Sequence, residues 1–272
     1  MDAISRNGND MKSISEFPTE DRQRLKSVFL DIDETLTTEG RLTAGAYDAL
    51  ERLHDSGLLV VPITGRPAGW CDHIARMWPV DAVVGENGAF FFNYDQKERR
   101  MARHFFFDDK KRQEDRIKLN TIGEQILSEV PGTAISADQA YREADLAIDF
   151  CEDVAPLPEE DIARIVQIFE SAGATAKISS IHVNGWFGDY DKLAMTKTLF
   201  QESFNISLDD KKSKFLFIGD SPNDEPMFEY FPNSVGVANV RDFAAGLQSK
   251  PTYVTNSRSG AGFIEFANCL LS

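Results

Sequence analysis

The chain has 272 residues, 42% hydrophobic and 27% charged, the composition of an ordinary globular protein with room for one or two domains. A formal net charge of −15 argues against broad attraction to nucleic acid or to an anionic membrane, although a metal ion with one or two basic side chains can reverse the sign locally. Cys71, Cys151 and Cys269 lie far apart without a CxxC pair, which argues against a disulfide framework or thiolate zinc site and fits a reducing, cytoplasmic setting.

Residues 1–26 are polar, lack the apolar core of a signal peptide and read as a loose extension, so the fold is expected to begin near Ser27. "SVFLDI" then reads as a buried strand. "TAGAYDALERLHDSG" reads as a helix, with Thr43 as N-cap, Ala46, Ala49, Leu50 and Leu53 on one face, and Gly57 at its end. "LLVVPIT" is a second buried strand, in which Pro62 sits awkwardly because a central strand needs the missing N–H. "AGWCDHIARMW" is a short helix, and "DAVVGENGAFFFNY" begins a third strand. This βαβαβ order predicts an α/β fold with a doubly wound parallel sheet.

From about residue 90 to 189 the rhythm changes. "AFFFNY" and "MARHFFF" read as hairpin strands, and their phenylalanines suit an interior better than a binding surface. A long helix, "EADLAIDF", a second helix, "TAKISS" and "IHVNGWF" follow, which is the pattern of an α+β insert. The βα order then returns with "DKLAMTKTLFQESF", "KFLFIGD", "EPMFEYF" and "SVGVAN". The expected division is a core of 27–89 and 190–272 interrupted by a cap of 90–189. No apolar run is long enough to span a bilayer.

Three polar clusters stand at the C-terminal ends of apolar strands: Asp31/Asp33/Thr35, Thr64-Gly65-Arg66, and Gly219 to Asp224. Open α/β sheets bind ligands at that edge, so all three can converge. Asp31 and Asp33 point to the same side of an extended segment, which is unfavourable unless a cation or an electrophilic phosphorus lies beside them. Carboxylates serve as covalent nucleophiles for phosphorus, and Mg²⁺ takes hard oxygen ligands such as Asp31 and Asp220 could supply. Asp33 is placed to protonate a leaving oxygen and later to deprotonate an attacking water.

DxDxT, a strand-end Thr, a Lys opening a helix and GDxxxD, here "DIDET", "ITGRP", "DKLAMTKTL" and "GDSPND", together resemble the haloacid dehalogenase superfamily over residues 27–272. The long insert resembles the larger α/β cap of the subfamily that includes sugar-phosphate phosphatases and eukaryotic-type phosphomannomutases. The resemblance implies Asp31 as nucleophile and metal ligand, and Asp33 as acid/base with its backbone carbonyl on the metal. It implies Thr64 as holder of the phosphoryl group, Lys192 as the neutralising cation, Asp220 as a Mg²⁺ ligand, and Asn223 and Asp224 on or near the metal. Residue 34, commonly Gly in that family, is Glu34 here and adds a carboxylate beside the site.

Other positions have competing readings. Gly65 and Arg66 are candidates for substrate contact, while Arg66 suits equally a tie to a helix C-terminus. Lys197 competes with Lys192, and the spacing after "GDYD" favours Lys192. Asp224 could simply charge a helix N-terminus. Glu86 and Asn87 suit a cap on the core-to-insert crossover, with Asn87 also a substrate candidate. In the insert, His182, Asn184 and Trp186 share one strand face and form a polar-aromatic stripe suited to sugar hydroxyls, with Trp186 as a stacking platform; a merely polar outer sheet face is the plainer alternative.

The sequence reading is thus a Mg²⁺-dependent phosphatase of a small phosphorylated molecule, a sugar or glycosyl phosphate, through an aspartyl phosphate. A phosphomutase shares the motif set. A phospho-receiver has no need of so large an insert, and a phosphate-binding protein without turnover requires a lost catalytic residue.

Overall fold

The computed structural model describes residues 11–179 and 181–272. Short strand β1 (Lys12–Ser13) leads through a 3₁₀ turn to α1 (Thr19–Arg24). Then come β2 (Ser27–Leu30), α2 (Ala44–Asp55), β3 (Leu59–Pro62), α3 (Ala68–Met77) and β4 (Val83–Gly85). The insert region holds β5 (Phe90–Asp95), β6 (Arg100–Phe105), α4 (Asp109–Glu129), β7 (Ala134–Ile135), β8 (Leu146–Asp149), α5 (Glu159–Ser171), β9 (Thr175–Ile178) and β10 (His182–Trp186). The chain returns with α6 (Lys192–Phe204), β11 (Phe215–Gly219), α7 (Glu225–Tyr230), β12 (Asn233–Gly236), α8 (Val240–Phe243), β13 (Tyr253–Val254) and α9 (Ser259–Leu270).

Six strands form an all-parallel sheet in the order β1-β13-β12-β11-β2-β3. Their apolar runs are buried on both faces, as parallel strands covered by helices must be. Helix α2 starts where Thr43 accepts the Ala46 N–H and turns Ala46, Ala49, Leu50 and Leu53 into the core, as the spacing predicts. Pro62 is accommodated because β3 ends the parallel ladder, and only the following Ile63 bridges onward, to Val84. Through that bridge the antiparallel strands β4-β5-β6 continue from the core sheet.

Residues 12–25 are not loose. Ser13 and Glu16 form a reciprocal capping box, β1 covers the edge at β13, and Ile14, Phe17 and Leu25 are buried. The Phe17 ring stacks on Tyr253 at 4.6 Å. Residues 1–10 of the expected extension lie outside the described residues.

The second sheet is antiparallel, β7-β8-β10-β9. Leu146, Ile148 and Val183 turn from it toward α4 and α5 and form a separate core with Leu119, Ile165 and Phe169. By the two-residue alternation, His182, Asn184 and Trp186 take the opposite face. The whole is a mixed α/β fold: a parallel core sheet with an additional antiparallel α+β unit inserted in it. Among the described residues no helix is long and apolar enough to cross a membrane.

Candidate active site

At the C-terminal end of β2 the ladder continues through Asp31 N–H to Ile218 O, 2.9 Å, and the chain then folds into a tight turn. Glu34 adopts a left-handed φ of 57° there, which explains why a glycine suits that position. Its carboxylate accepts from Gly40 N–H and Ser259 Oγ, so it braces the turn against α9.

Asp31 and Lys192 meet at once: Nζ donates to Asp31 Oδ1 at 2.8 Å and to Asp224 Oδ1 at 2.9 Å. Lys192 is presented by the first turn of α6, whose N-cap Asp191 accepts the Ala194 N–H. Lys197 instead pairs with exposed Asp209, 3.1 Å away. Asp224 Oδ2 accepts from the Asp220 and Ser221 N–H groups, an approach that requires Gly219, where a Cβ would stand 2.4 Å from that oxygen. Asp220 accepts from Thr35 Oγ1 at 3.2 Å.

Among the described residues, Asp31, Asp220 and Asp224 form the one acidic cluster whose ligand oxygens all lie within 4.8 Å of one another. Burial, then the charges of Asp224 and Asp33, push Asp31 up to about 7 despite Lys192. Burial, with Asp224 and Asp31, pushes Asp220 well above the carboxylate range. Burial alone would lower Lys192, but Asp224 and Asp31 outweigh it and hold the ammonium above its ordinary value. Once ionised, three buried carboxylates exceed the one ammonium by two negative charges, and these hard oxygens fit Mg²⁺.

Thr64 is fully buried at the end of the β3 segment, and its Oγ1 accepts from Arg66 N–H at 3.0 Å, which leaves the hydroxyl proton free to donate. Arg66 does not tie a helix C-terminus. Its guanidinium forks onto Asp33 at 2.8–3.1 Å and reaches Glu152 of the insert at 3.4 Å. Asn223 donates to Asn87 at 3.5 Å, beside Gly65. Asn87 and Glu86 both adopt left-handed φ, 56° and 44°.

Glu86 caps the crossover from an unforeseen direction. Its buried carboxylate accepts the N–H of Ala68 and those of Glu143, Ala144 and Asp145, so it pins the insert to the core. Burial and the neighbouring Asp145 raise it to about 8. Arg142, next in line, donates to Gly65 O at 3.0 Å while paired with Asp138 and Asp145. The reading of the sequence missed Arg142, Asp138, Asp145 and Glu152. For Asp138, Arg142 and Asp145 the Asp-x₃-Arg-x₂-Asp spacing in "SADQAYREAD" was the one local signal, and Glu152 had none.

His182 and Asn184 do face the site. Asn184 Nδ2 donates to Asp145 at 2.8 Å, and His182 Nε2 lies 2.9 Å from Glu152 at ion-pair distance, without hydrogen-bond alignment. Together with Asp31, Asp33, Gly65, Arg66, Asp220 and Asn223 they line one cavity. Trp186 does not: it is 2% exposed, stacks on Tyr190 at 5.6 Å, and belongs to the apolar seam that joins α3, β5 and β10. Its indole packs instead against Tyr190 and the apolar side chains of that seam. The phenylalanines of "HFFF" split, with Phe105 and Phe107 packed on that seam and Phe106 exposed.

Residues 28–129 match the family model described as haloacid dehalogenase-like hydrolase. The chain is 26% identical over 244 residues to a phosphoglycolate phosphatase of Haloarcula marismortui, an alignment covering 88% of this chain and 94% of the relative. Among solved structures, a Thermoplasma acidophilum protein superposes with a TM-score of 0.69 at 20% identity, covering 91% of this chain and 98% of its own. A HAD/COF-like hydrolase from Plasmodium vivax gives 0.65 at 19%, covering 93% and 99%. With the acidic cluster, its lysine and the inserted antiparallel sheet in place, the chain is similar to the haloacid dehalogenase-like hydrolases and to a phosphatase, and it shares the fold of the solved structures with an inserted α+β unit.

Proposed function

We propose that the enzyme is a Mg²⁺-dependent phosphomonoesterase that works through an aspartyl phosphate and acts on a small sugar phosphate, in the cytoplasm. The observation that carries this reading is the buried cluster of Asp31, Asp220 and Asp224 around Lys192, with Asp33 two residues beyond the nucleophile. Asp31, Asp220 and Asp224 would hold the cation, which when bound supplies positive charge to the phosphoryl oxygens.

An Asp31 carboxylate oxygen attacks phosphorus while the bond to the leaving oxygen breaks and that oxygen takes a proton from Asp33. Water then attacks the phosphoenzyme, gives a proton to Asp33, and the Asp31–phosphorus bond breaks. Lys192 favours the charged form of Asp31 and positions it, and the Thr64 hydroxyl donates to the transferring group. The fork from Arg66 holds Asp33 as the acceptor required in the second step. His182 and Asn184 would meet the substrate's hydroxyls.

A second reading, a short phosphorylated acid, is favoured by the small size of the cavity, about 40 Å³, or room for about three waters, and by the relative that bears the phosphoglycolate name. Phosphate release from hexose phosphates, disaccharide phosphates and phosphoglycolate, with Mg²⁺ and with excess EDTA, tests both. Turnover that survives the chelator refutes the Mg²⁺ assignment.

A further inference from the structure

Thr64 is held by its N–H, its carbonyl and its hydroxyl. The N–H donates to Val84 O at 2.9 Å, the carbonyl accepts from Asn87 N–H at 3.1 Å, and Oγ1 accepts from Arg66 N–H at 3.0 Å. The peptide group that supplies this last N–H has its carbonyl on Gly65, and that carbonyl accepts from Arg142 Nη1 at 3.0 Å. In a trans peptide the C=O and N–H point to opposite sides of one rigid plane, so Arg142 stands at one end of a line and the Thr64 hydroxyl at the other. We propose that Arg142 is a positioning residue: from the insert, it sets the Thr64 hydroxyl through the peptide between Gly65 and Arg66.

The guanidinium is itself fixed. Its side chain is 1% exposed, Nε and Nη2 fork onto Asp138, and Nη1 is shared between Asp145 and Gly65 O. The backbone beside it is fixed as well, because the Glu86 carboxylate takes the N–H groups of Glu143, Ala144 and Asp145 along with that of Ala68. The donor to Gly65 O is therefore in place only when the insert is docked.

Charge is not what Arg142 brings. With Asp138 and Asp145 ionised the cluster is net negative and does not attract a phosphoryl group. It supplies instead an oriented, polarised peptide. Hydrogen bonds in a chain strengthen one another, and a firm Arg66 N–H bond on one lone pair of Oγ1 keeps the hydroxyl proton turned away from the loop, free to donate to the phosphoryl group.

The donor role of Thr64 belongs to the phosphatase reading, on which this inference rests, and the experiment separates the two. Arg142→Met combined with Asp138→Asn and Asp145→Asn removes the donor to Gly65 O without leaving buried charges unpaired. Should that variant not fold, Arg142→Lys takes its place, since a compact ammonium follows the two carboxylates and does not also fork to the carbonyl. In either, kcat should fall by about tenfold with KM little changed, and by the same factor on hexose phosphates and phosphoglycolate, which share the phosphoryl group. Affinity for inorganic phosphate, read by calorimetry, should fall about fivefold, although in the triple variant the loss of net negative charge would by itself raise it. On a Thr64→Val background the same substitutions should change each quantity by less than about twofold. Full activity in the variants overturns the positioning role. So do losses that multiply with that of Thr64→Val, or that fall on one substrate alone, which are the marks of direct contact between Arg142 and substrate. Weakened phosphate binding that depends on Thr64, in an enzyme that hydrolyses no ester, supports the positioning role and refutes the phosphatase reading. A wild type that binds no phosphate overturns both.

Discussion

The floor and the roof of the site treat buried charge in opposite ways. On the floor, burial and mutual repulsion raise Asp31 and Asp220, because Lys192 alone cannot offset them. On the roof, burial works against Asp138 but Arg142 holds it below its ordinary range, and Glu152 is lowered by His182 and Arg66. The roof therefore satisfies itself and serves to position the insert. The floor is left short of positive charge, which the proposed cation would supply.

The largest break in this contrast comes from Asp31, the proposed nucleophile. Asp31→Asn should lower turnover by about four orders of magnitude and abolish phosphoenzyme in rapid-quench experiments with labelled substrate. Because it also removes one of the crowded charges, the metal-free variant should melt no lower than the wild type. A phosphoenzyme in the variant would assign the nucleophile elsewhere.

On the roof the opposite sign is expected. Arg142→Met leaves Asp138 and Asp145 buried without their cation and frees Gly65 O, which should cost about 3–5 kcal/mol in chemical denaturation. Adding Asp138→Asn and Asp145→Asn should restore much of that loss, since the penalty is for unpaired charge. A single variant as stable as the wild type would mean that the network does not hold the insert down.

Asp33→Asn probes the border between the two. Its effect should depend on the leaving group, about 10²- to 10⁴-fold for sugar alkoxides and smaller in the first step for p-nitrophenol, which departs as an anion. Hydrolysis of the phosphoenzyme still lacks its base, so p-nitrophenyl phosphate should give a burst and then a slow steady state. Equal losses on both leaving groups would assign the proton transfer to another group.

What could be read from the sequence follows the same division. The floor was legible because each of its parts ends an apolar strand: "FLDID", "VPITG" and "FIGDS" announce both the buried strand and the polar edge. Lys192 was legible from its place at a helix start. The roof was not, because Arg142 acquires its meaning only from Gly65, 77 residues away, and Glu152 only from Arg66, 86 residues away. Trp186 was misread because alternation assigns a face but not what lies opposite, and here that is Tyr190 rather than the cavity. Ile14 and Phe17 were missed because two apolar residues in a polar segment carry no periodicity.

The smallest effect concerns protons and the cation on the floor. In the metal-free enzyme Asp31 titrates near 7, against 3.8 for an ordinary carboxylate. The folded state thus binds a proton more tightly than the unfolded chain does. That contribution to stability is fully present below about pH 4 and is lost as the pH rises through 7. A cation bound by the deprotonated cluster takes the place of the proton, so stabilisation by Mg²⁺ should be slight at pH 5 and grow toward pH 8. At a hundred times its dissociation constant it should reach about 2–3 kcal/mol, a melting shift of a few degrees. Thermal denaturation with and without Mg²⁺ at the two pH values measures it. A shift that is equal at both, or larger at pH 5, would mean that the cation does not compete with protons for Asp31 and its neighbours, and that the floor is not the metal site.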